Sequence, residues 1–401
     1  MFLAGSAGFI CLEATDLRCE QQEIDWNKIR QQYPDANSTI LNLNNGSAGM
    51  ISYSVERQLV TLLREMNKMA PYEAKGVWSE ISRKSKLKLA QLIGAKKEEI
   101  AIVRNTTEAL NYVLRGIEIP KNSNVVCAKH DYSSALNILK RLAKEKNFTL
   151  KYVDITLPAS KDEIIKSYAE KIDENCSLVL LTAMTHREGQ ILPIKEITKL
   201  AKAKGALVVV DAAHALGHFE HSVVDWNCDY YCSSLHKWLS CPIGSGLLYM
   251  KSELIPYTEG SFSANKNLVG RMIKFEDVGT KPFAIEASIL SALSFQEKIG
   301  LKVKSDRLRA LTDYWVNGMK NITHLKTYKP EEYGGVCSFY CPGDSVEIMS
   351  YLNSKKIHVK KVFDNNYKNN KSRYRVSPNI YHGFNDLDRL TEAMETYEIK
   401  K

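Results

Sequence analysis

Long apolar runs are missing from this sequence of 401 residues, and so are internal repeats and low-complexity tracts. No run reaches the ~18 apolar residues that a membrane-spanning helix needs, so we expect no integral membrane segment. Hydrophobic residues make up 44% of the chain and charged residues 25%, which is an ordinary globular composition. A mainly disordered, collagen-like or coiled-coil protein is therefore excluded. The length predicts two or three domains.

Paired cysteine motifs are also missing, because none of the nine cysteines belongs to a CxxC pair. Cys228 and Cys232, like Cys337 and Cys341, lie in apolar or aromatic stretches, where a buried free thiol is the common outcome. We therefore expect a chain that folds with its thiols reduced.

The formal net charge of +9 is concentrated in one part of the chain. Residues 355–375 contain eight Lys or Arg residues and one Asp, a net +7 that leaves only +2 for the remaining 380 residues. A basic charge spread over the whole surface would indicate binding to nucleic acid or to an anionic membrane. Because the charge is concentrated in one segment instead, we expect no nucleic-acid partner. The basic segment indicates a solvated loop or the rim of an anion site, to which Lys368, Lys371 and Arg373 would contribute.

The N-terminal residues MFLAGSAGFICLEA carry no charge before Glu13 and resemble the apolar part of an export signal without its positive region. Residues 2–5 are similar to the continuation of a twin-arginine signal, and a frayed terminal segment is the alternative. We expect a cytoplasmic protein, or one exported already folded if an arginine pair precedes Met1. Residues 1–40 would form an N-terminal segment with a helix that packs on a smaller C-terminal domain.

Apolar periodicity predicts two amphipathic helices followed by alternating strands and helices. The first two helices are predicted at 53–70 and 76–94. Short runs rich in Val, Ile, Leu or Tyr predict seven strands, at 101–104, 124–128, 150–155, 177–182, 206–211, 229–233 and 246–250. Helical stretches between them are predicted at 105–117, 133–146, 161–172 and 194–204. Continuous apolar strands that alternate with helices indicate a three-layer αβα domain around a mostly parallel seven-stranded sheet, spanning residues 41–300.

A smaller α+β domain is predicted over residues 301–401. Long helices over 284–319 lead into it, and its strands are predicted at 335–341, 357–363 and 373–377. A helix over 385–398 closes it.

Polar residues follow three of the predicted strands, at the edge where parallel sheets bind their ligands. Thr106 and Thr107 open a helix, where hydroxyls and free N–H groups either cap the helix or bind an anion. Asp211 ends a strand, and a buried carboxylate needs a cationic partner, which a ligand with a protonated nitrogen would supply. The next strand leads to Lys237, whose amine can have a lowered pKa there and become a nucleophile towards carbonyl groups.

Residues 208–250, VVVDAAHALGHFEHSVVDWNCDYYCSSLHKWLSCPIGSGLLYM, resemble the fold-type I enzymes that use pyridoxal 5′-phosphate (PLP). The resemblance is to the class V aminotransferase group, which includes cysteine desulfurases and isopenicillin N epimerase, and is strongest to the epimerase-like subgroup. It extends from about Asn42 to Leu390, nearly the whole chain. It implies a PLP-dependent transferase-like fold, PLP as cofactor, and a homodimer with composite active sites.

The resemblance also implies roles for the residues at the strand ends. Lys237 would form a Schiff base with the cofactor aldehyde and move protons at the substrate α-carbon, while Asp211 would pair with the pyridine nitrogen. His214 would reach the phenolate side of the cofactor or support Asp211. His130 matches the residue whose ring stacks on the cofactor, and Tyr132 is the competing candidate.

Further matches concern the phosphate of the cofactor. Thr107, Ser234 and His236 match its ligands, with the backbone of Thr106 as a helper. Residues 279–280, Gly279 and Thr280, match a segment that the other subunit contributes to the phosphate.

The substrate side is implied by the same resemblance. Arg375 matches the arginine that binds the α-carboxylate, where a guanidinium can form a bidentate pair. Asn45 and Gly46 match the N-terminal loop that approaches the substrate. His186 stands where an Asn that contacts the cofactor oxygen is common, and an imidazole can still donate to that oxygen.

One departure from the family pattern bears on the reaction. Cysteine desulfurases carry a nucleophilic Cys on the loop upstream of the carboxylate-binding arginine, but residues 342–375 contain no Cys. Persulfide chemistry needs that thiolate, so desulfurase activity is disfavoured. The resemblance then predicts a PLP-dependent epimerase or transaminase acting at the α-carbon of a small amino acid. The alternative is a carbon–sulfur β-lyase acting on a cysteine conjugate, because these reactions share their first steps.

Two other function classes receive little support. His214, His218 and His221 form an i, i+4 pattern that would suit a zinc hydrolase, but no Glu flanks the first His as in HExxH, so we expect no metal. The sequence has no GxxxxGK[ST] phosphate loop and no dinucleotide-binding fingerprint. A regulatory relative without catalysis is disfavoured because Lys237, Asp211 and Arg375 are all present.

Overall fold

The computed structural model describes residues 24–34, 38–261, 263–363 and 372–399. The predictions made for the signal-like N-terminal residues, and for Lys368 and Lys371, lie outside these ranges. None of the helices in the described ranges has both the length and the apolar composition that crossing a bilayer requires.

The helices are α1 Trp26–Arg30, α2 Tyr53–Met66, α3 Pro71–Ile93, α4 Thr106–Gly116, α5 Ser133–Lys146, α6 Lys161–Ala169, α7 Ile194–Ala203, α8 Val223–Trp226, α9 Phe283–Ile299, α10 Leu301–Gly318, α11 Ser345–Ser354 and α12 Phe384–Glu395. Short 3₁₀ helices occur at Lys97–Glu99, Ser252–Tyr257, Lys266–Leu268 and Met272–Phe275.

The strands are β1 Leu41–Asn42, β2 Ile100–Val103, β3 Asn124–Ala128, β4 Thr149–Val153, β5 Cys176–Thr182, β6 Leu207–Asp211, β7 Tyr230–Ser234, β8 Gly246–Met250, β9 Lys326–Tyr328, β10 Cys337–Tyr340, β11 Ile357–His358, β12 Lys360–Phe363 and β13 Ser372–Val376.

Seven strands form the large sheet in the order β2-β8-β7-β6-β5-β3-β4. β8 is antiparallel to both of its neighbours, and the other pairings are parallel. Both faces of the sheet are buried: Val208 and Val210 of β6 pack into one apolar cluster with α3, α6, α7 and α9, whereas Val209 packs into another with α4 and α5. This arrangement confirms the predicted αβα architecture with a mostly parallel seven-stranded sheet.

The C-terminal part contains a four-stranded antiparallel sheet in the order β12-β13-β10-β9. β1 pairs with β11 of this C-terminal part. Leu41 of β1 and Leu43, which follows β1, therefore pack in the C-terminal apolar cluster. The segment just before α2 therefore packs on the C-terminal unit, although we had assigned it to the large domain. In α1, Arg30 forms an ion pair with Asp386 of α12, as expected for a helix that packs on the small domain.

The predicted and observed elements differ at several places. The strand predicted at 357–363 is two strands, β11 and β12, in different sheets, and β1, β9, α8 and α11 were not predicted. The long helical stretch is divided at Gly300, which has a φ of +81° and separates α9 from α10. β9 was not predicted from the sequence, because a three-residue edge strand offers too few positions for an apolar pattern.

The loop after β1 runs from the C-terminal unit to the carboxyl ends of the large sheet. The Gly49 N–H donates to the carbonyl of His236 at 2.8 Å. A Cβ on Gly49 would lie 2.0 Å from the carbonyl oxygen of Lys237, so only glycine permits this approach. The loop is thus fixed against the backbone that carries Lys237.

We predict that Gly49→Ala lowers the free energy of unfolding by about 1–3 kcal/mol, because the added methyl group collides with rigid backbone. Gly76→Ala is the matched control: a Cβ at this position in α3 meets no atom within 4 Å, and replacing a mid-helix Gly should add about 0.5–1 kcal/mol. Urea unfolding of both variants measures the difference. Equal stabilities would contradict the close contact at Gly49.

Candidate active site

A cavity of about 730 Å³ lies at the carboxyl ends of the parallel strands, within the ~300–1,000 Å³ that ligand sites usually have. Residues of the large sheet, the loop after β1 and the small sheet all contribute to its lining. The residues predicted from the sequence that line it are Gly46, Thr106, Thr107, Tyr132, His186, Asp211, His214, Ser234, His236, Lys237 and Arg375. The structure therefore brings most of the predicted site together.

Lys237 follows β7 and lies largely buried in the cavity wall. Its pKa is lowered to about 8, chiefly by burial; the negative charge of Asp211 raises the pKa, and the positive charge of Arg375 lowers it. Its Nζ lies 3.1 Å from Nε2 of His214. A largely buried amine with a pKa near neutrality is a competent nucleophile and base, whereas an ordinary lysine is protonated.

His214 is held between Lys237 and Trp238. The indole N–H of Trp238 donates to Nδ1 of His214 at 3.2 Å. Burial keeps the pKa of His214 well below its usual value, so the ring is neutral and its proton is on Nε2. His214 therefore donates towards the neutral amine of Lys237, or towards a ligand oxygen that takes its place.

Asp211 ends β6 and is buried. One hydrogen bond to its carboxylate is present, from the N–H of Ala213 to Oδ1 at 3.0 Å. Burial raises its pKa, whereas that hydrogen bond and the charge of Lys237 lower it. A buried carboxylate that lines a cavity with so few donors is suited to bind a cationic nitrogen of a ligand.

The N-terminus of α4 provides neutral donors on the same cavity. Thr106 donates from its N–H to Oγ of Ser234 at 3.1 Å, and the two hydroxyl groups are 2.7 Å apart. Nδ1 of His236 lies 3.1 Å from the carbonyl of Ser245, which can only accept, so Nε2 of His236 is left for a ligand. With the hydroxyl of Thr107, these groups form a site suited to a phosphate.

Arg375 of β13 is buried, lines the cavity, and has only neutral hydrogen-bond partners. It donates to the carbonyl of His186 at 3.0 Å, to Oδ1 of Asn44 at 2.8 Å and to Oγ of Ser47 at 2.8 Å. Its Nε has no hydrogen-bond partner. Burial lowers its pKa to about 10, and this desolvation would be relieved by the carboxylate of a ligand.

Gly46 lies where the N-terminal loop passes closest to these groups. A Cβ on Gly46 would be 3.3 Å from Cζ of Arg375 and 3.3 Å from Cε1 of His214. The absence of a side chain thus keeps the space between the arginine and the histidine open.

Four predicted residues lie elsewhere. His130 is buried, does not line the cavity, and has no partner for either ring nitrogen; burial lowers its pKa to about 3. Asn45 is also buried, and its amide binds the carbonyls of Asn42 and Ser377, so it shapes the loop without contacting the cavity. Gly279 and Thr280 are exposed in the single chain, and their role across a dimer interface stays a prediction.

Tyr132 is the better candidate for the stacking residue. It lines the cavity, and its ring packs edge-on against the ring of His186 with 5.2 Å between centroids. His130, two residues earlier, is buried in the protein interior. The structure therefore gives no support for His130 as the stacking residue.

Several residues that line the cavity or hold its side chains were not predicted from the sequence. Asn44 and Ser47 hold Arg375, and they flank the two loop residues that were chosen. Arg187 and Lys360 also line the cavity. Lys360 belongs to the basic segment, which could have identified it, but no sequence signal distinguishes Arg187 from a solvated arginine.

The rim role predicted for Arg373 is wrong. Its side chain is buried, pairs with Glu188 at 3.3 Å, and stacks on the ring of Tyr328 with 3.7 Å to the centroid. Arg373 and Arg375 are two residues apart on β13, with Tyr374 between them. Arg373 packs within the small sheet, against Tyr328 of β9.

The zinc alternative receives no support from the described residues, among which no cluster of three or more His, Cys, Asp or Glu side chains could hold a metal. Nδ1 of His218 is hydrogen-bonded to the carbonyl of His214, and Nε2 accepts from the N–H of Gly335. His221 uses its nitrogens on the carbonyl of Phe219 and the hydroxyl of Tyr231. These histidines are structural.

Seven cysteines lie in the described ranges, and all of them are buried free thiols, as predicted. None of these seven lines the cavity. Burial raises the pKa of Cys341, the last cysteine before Arg375, to about 12, so it is not a thiolate near neutral pH.

The cavity residues fit PLP in their chemistry. Asp211 offers a buried anion for a pyridinium nitrogen, and Lys237 offers a neutral amine for an aldehyde. His214 offers a donor for a ring oxygen, and the α4 N-terminus with Ser234 offers a phosphate site. Arg375 remains for a carboxylate.

The fold and this donor set define a fold-type I PLP-dependent enzyme. The family model of Aminotransferase class-V matches residues 55–390. The chain therefore belongs to the class V aminotransferase family, as the sequence resemblance predicted.

Relatives in this family carry more than one activity. The chain is 28% identical over 288 residues to the probable cysteine desulfurase of Pyrococcus abyssi, which covers 68% of this chain and 71% of the relative. It is 24% identical over 405 residues to the isopenicillin N epimerase of Streptomyces clavuligerus, covering 92% of this chain and 98% of the relative.

Solved structures confirm the fold. A complex of the cystine C–S lyase C-DES with cysteine persulfide aligns with a TM-score of 0.82 at 18% identity, covering 91% of this chain and 100% of that one. The apo structure of cysteine desulfurase from Thermococcus onnurineus aligns with a TM-score of 0.80 at 22% identity, covering 92% and 96%.

The pKa of Lys237 leads to a prediction about cofactor capture. Only the neutral amine attacks an aldehyde, so the rate of PLP incorporation into apoprotein should rise about tenfold per pH unit below pH 8 and level off above it. Arg375→Gln removes a charge that lowers this pKa, so the midpoint should move to higher pH.

Stopped-flow absorbance at a series of pH values measures this profile. Arg64→Gln, on the exposed side of α2 and outside the cavity lining, is the matched control and should leave the midpoint unchanged. A wild-type midpoint near 10, the ordinary lysine value, would contradict the effect of burial on Lys237.

Proposed function

We propose that this protein is a PLP-dependent enzyme that acts at the α-carbon of an amino acid, as an epimerase or a transaminase. One observation carries the proposal: Lys237, with its lowered pKa, and Arg375, whose present partners are all neutral, line the same cavity. One group can hold the substrate carboxylate and the other can move the α-proton.

Arg375 would fix the substrate through its α-carboxylate. Asn44 and Ser47 already hold one end of the guanidinium, which limits its rotation before a substrate arrives. Binding a carboxylate would satisfy the buried charge with two parallel hydrogen bonds, and such charge-assisted pairs are the strong ones.

Lys237 would remove the proton from the α-carbon of the bound substrate. The lowered pKa places this amine close to the working pH, where general bases are most effective. His214 is oriented by Trp238 and can donate its Nε2 proton to an oxygen near Lys237. Bound PLP, which Asp211, Ser234 and His236 would hold, supplies an electron sink for the carbanion.

The fate of the proton distinguishes the reactions. Lys237 or a group on the opposite side can return the proton to the α-carbon, which gives epimerisation. Return of the proton to the cofactor side would lead to transamination. Tyr132 lines the cavity and is about half exposed, so it is a candidate for the second proton donor of an epimerase.

A carbon–sulfur β-lyase is the second candidate, and the similarity in sequence to cysteine desulfurases favours it. The described cysteines are buried and none lines the cavity. Cleavage of a C–S bond would therefore proceed by elimination of the sulfur group from the β-carbon. This supports our prediction that transfer of sulfur to an enzyme thiol is disfavoured.

We further propose a homodimer in which Gly279 and Thr280 reach the phosphate site of the partner. The support is their exposure in a part of the chain that also exposes three apolar side chains, Val269, Ile273 and Val278. Exposed apolar residues that cluster in this way are typical of subunit interfaces.

The test is a screen of L- and D-amino acids and S-substituted cysteines in deuterium oxide. We expect the holoenzyme to exchange the α-proton of at least one of them, and Lys237→Ala to exchange none. Arg375→Gln should raise KM by ~10- to 100-fold through loss of charge-assisted hydrogen bonds. Arg64→Gln should behave as wild type.

Product analysis separates the candidates. Exchange with inversion and no release of ammonia or keto acid identifies an epimerase, and keto acid formed with a keto-acid acceptor identifies a transaminase. Pyruvate with ammonia identifies a lyase. Protein-bound persulfide would overturn our prediction that desulfurase activity is disfavoured, and exchange that persists in Lys237→Ala would overturn the role of Lys237.

A further inference from the structure

The cavity carries more positive charge than an amino acid with one carboxylate would use. Five cationic side chains line it against one carboxylate, that of Asp211; the five are Arg187, Lys237, Lys360, Lys361 and Arg375. Lys237 and Asp211 face the cofactor in the proposed function, and Arg375 faces the α-carboxylate. The remaining cations have no role in the reaction derived above.

Arg187 lies close to the carboxylate-binding arginine. It belongs to the turn after β5, and the preceding residue, His186, accepts a hydrogen bond through its carbonyl from Arg375 at 3.0 Å. His186 and Arg187 both line the cavity. The two arginines therefore flank one stretch of the cavity wall.

The nearest carboxylate in the sequence does not hold Arg187 in place. Glu188 turns away into the small sheet, where it pairs with Arg373 at 3.3 Å. The charge of Arg187 acts on Glu188, whose pKa is raised chiefly by burial, but of the two arginines only Arg373 forms a hydrogen bond with it. Over the ranges that the structure describes, no hydrogen bond or ion pair holds the Arg187 guanidinium.

Lys360 lies on the other side of Arg375. In the antiparallel pairing of β12 with β13, Lys360 is directly opposite Arg375, and both line the cavity. Like charges at directly opposed positions repel each other, since their Cβ atoms are only ~5 Å apart. An anion bound between them would convert this repulsion into attraction.

We propose that Arg187, with Lys360 at the rim, forms a second anion site beside Arg375, so that the substrate is an amino acid whose side chain carries its own carboxylate. The inference rests on the proposed function, because Arg375 must take the α-carboxylate. Arg187 is the specificity-determining residue: its planar guanidinium can bind a carboxylate with two parallel hydrogen bonds. Lys360 is exposed and adds a longer-range attraction that salt screens.

The experiment measures binding of inert ligands to the holoenzyme by calorimetry, so it does not depend on which reaction the enzyme catalyses. The probes are succinate, glutarate and adipate, each compared with its own monoamide. We expect at least one of the dicarboxylates to bind tenfold or more tightly than its monoamide. Arg187→Gln should reduce this ratio to below threefold and leave the Kd of the monoamide unchanged.

Three further variants sharpen the test. Lys360→Gln should weaken dicarboxylate binding by a smaller factor, and that factor should shrink at high salt. Arg64→Gln and Lys320→Gln, matched changes at exposed positions outside the cavity lining, should leave every Kd as in wild type. Arg187→Lys should retain part of the ratio, because charge remains while the bidentate geometry is lost.

The outcomes separate the two claims. Ratios near one for all three dicarboxylates in the wild type, or ratios that survive Arg187→Gln, overturn the second anion site. If Arg375→Gln leaves the binding of the monoamides unchanged, Arg375 does not bind the α-carboxylate, and the proposed function fails together with this inference. Loss of monoamide binding in Arg375→Gln alone supports the proposed function whatever the ratios show.

Discussion

The desolvation of the Lys237 amine is the constraint on which the site depends. Burial in the cavity wall lowers its pKa to about 8, and the opposing charges of Asp211 and Arg375 adjust that value. An amine exposed to water would stay protonated and unreactive at neutral pH. The end of β7 is where the chain can hold such a group, because the apolar strands of the sheet exclude water beneath it while the cavity leaves it accessible to a ligand.

The second requirement is that two parts of the chain meet at this amine. The large sheet supplies Lys237, Asp211 and His214, whereas β13 of the small sheet supplies Arg375. The loop after β1 joins them: its residues bind the guanidinium on one side, and Gly49 contacts the backbone of Lys237 on the other. Movement of the small sheet relative to the large one would therefore change the distance between the base and the carboxylate site.

Sequence patterns predicted much of this arrangement. Apolar runs identified all seven strands of the large sheet, because strands buried on both faces are nearly continuously apolar; only the edge strand β4 interrupts its run, with Lys151. The strand-end rule, together with the family resemblance, identified Asp211, Lys237 and Arg375. Asp211 and Lys237 stand out because a charged group beside an apolar strand is costly unless a partner or a ligand compensates its charge. Arg375 was identified by the resemblance.

The errors have physical causes of their own. His130 and Tyr132 lie two residues apart in the same loop, and only the backbone turn after β3 decides which ring reaches the cavity. Arg373 and Arg375 lie on the same face of β13, two residues apart, and the sequence does not reveal that Glu188 binds the first of them. No sequence pattern identifies Arg187 as a site residue, because its proposed role depends on Arg375 of β13, which is distant along the chain.

Peptide mass spectrometry of the holoenzyme after borohydride reduction tests the central claim most directly. Among the described residues, the buried Lys304 also has a pKa that burial lowers, to about 7, but it donates to the carbonyl of Trp238 and to Gln296 and does not line the cavity. A lowered pKa alone would favour Lys304, whereas the cavity geometry favours Lys237. The account predicts the cofactor mass on the peptide that contains Lys237 and none on Lys304. Label on Lys304, or an unlabelled Lys237 peptide in protein that retains PLP, would contradict it.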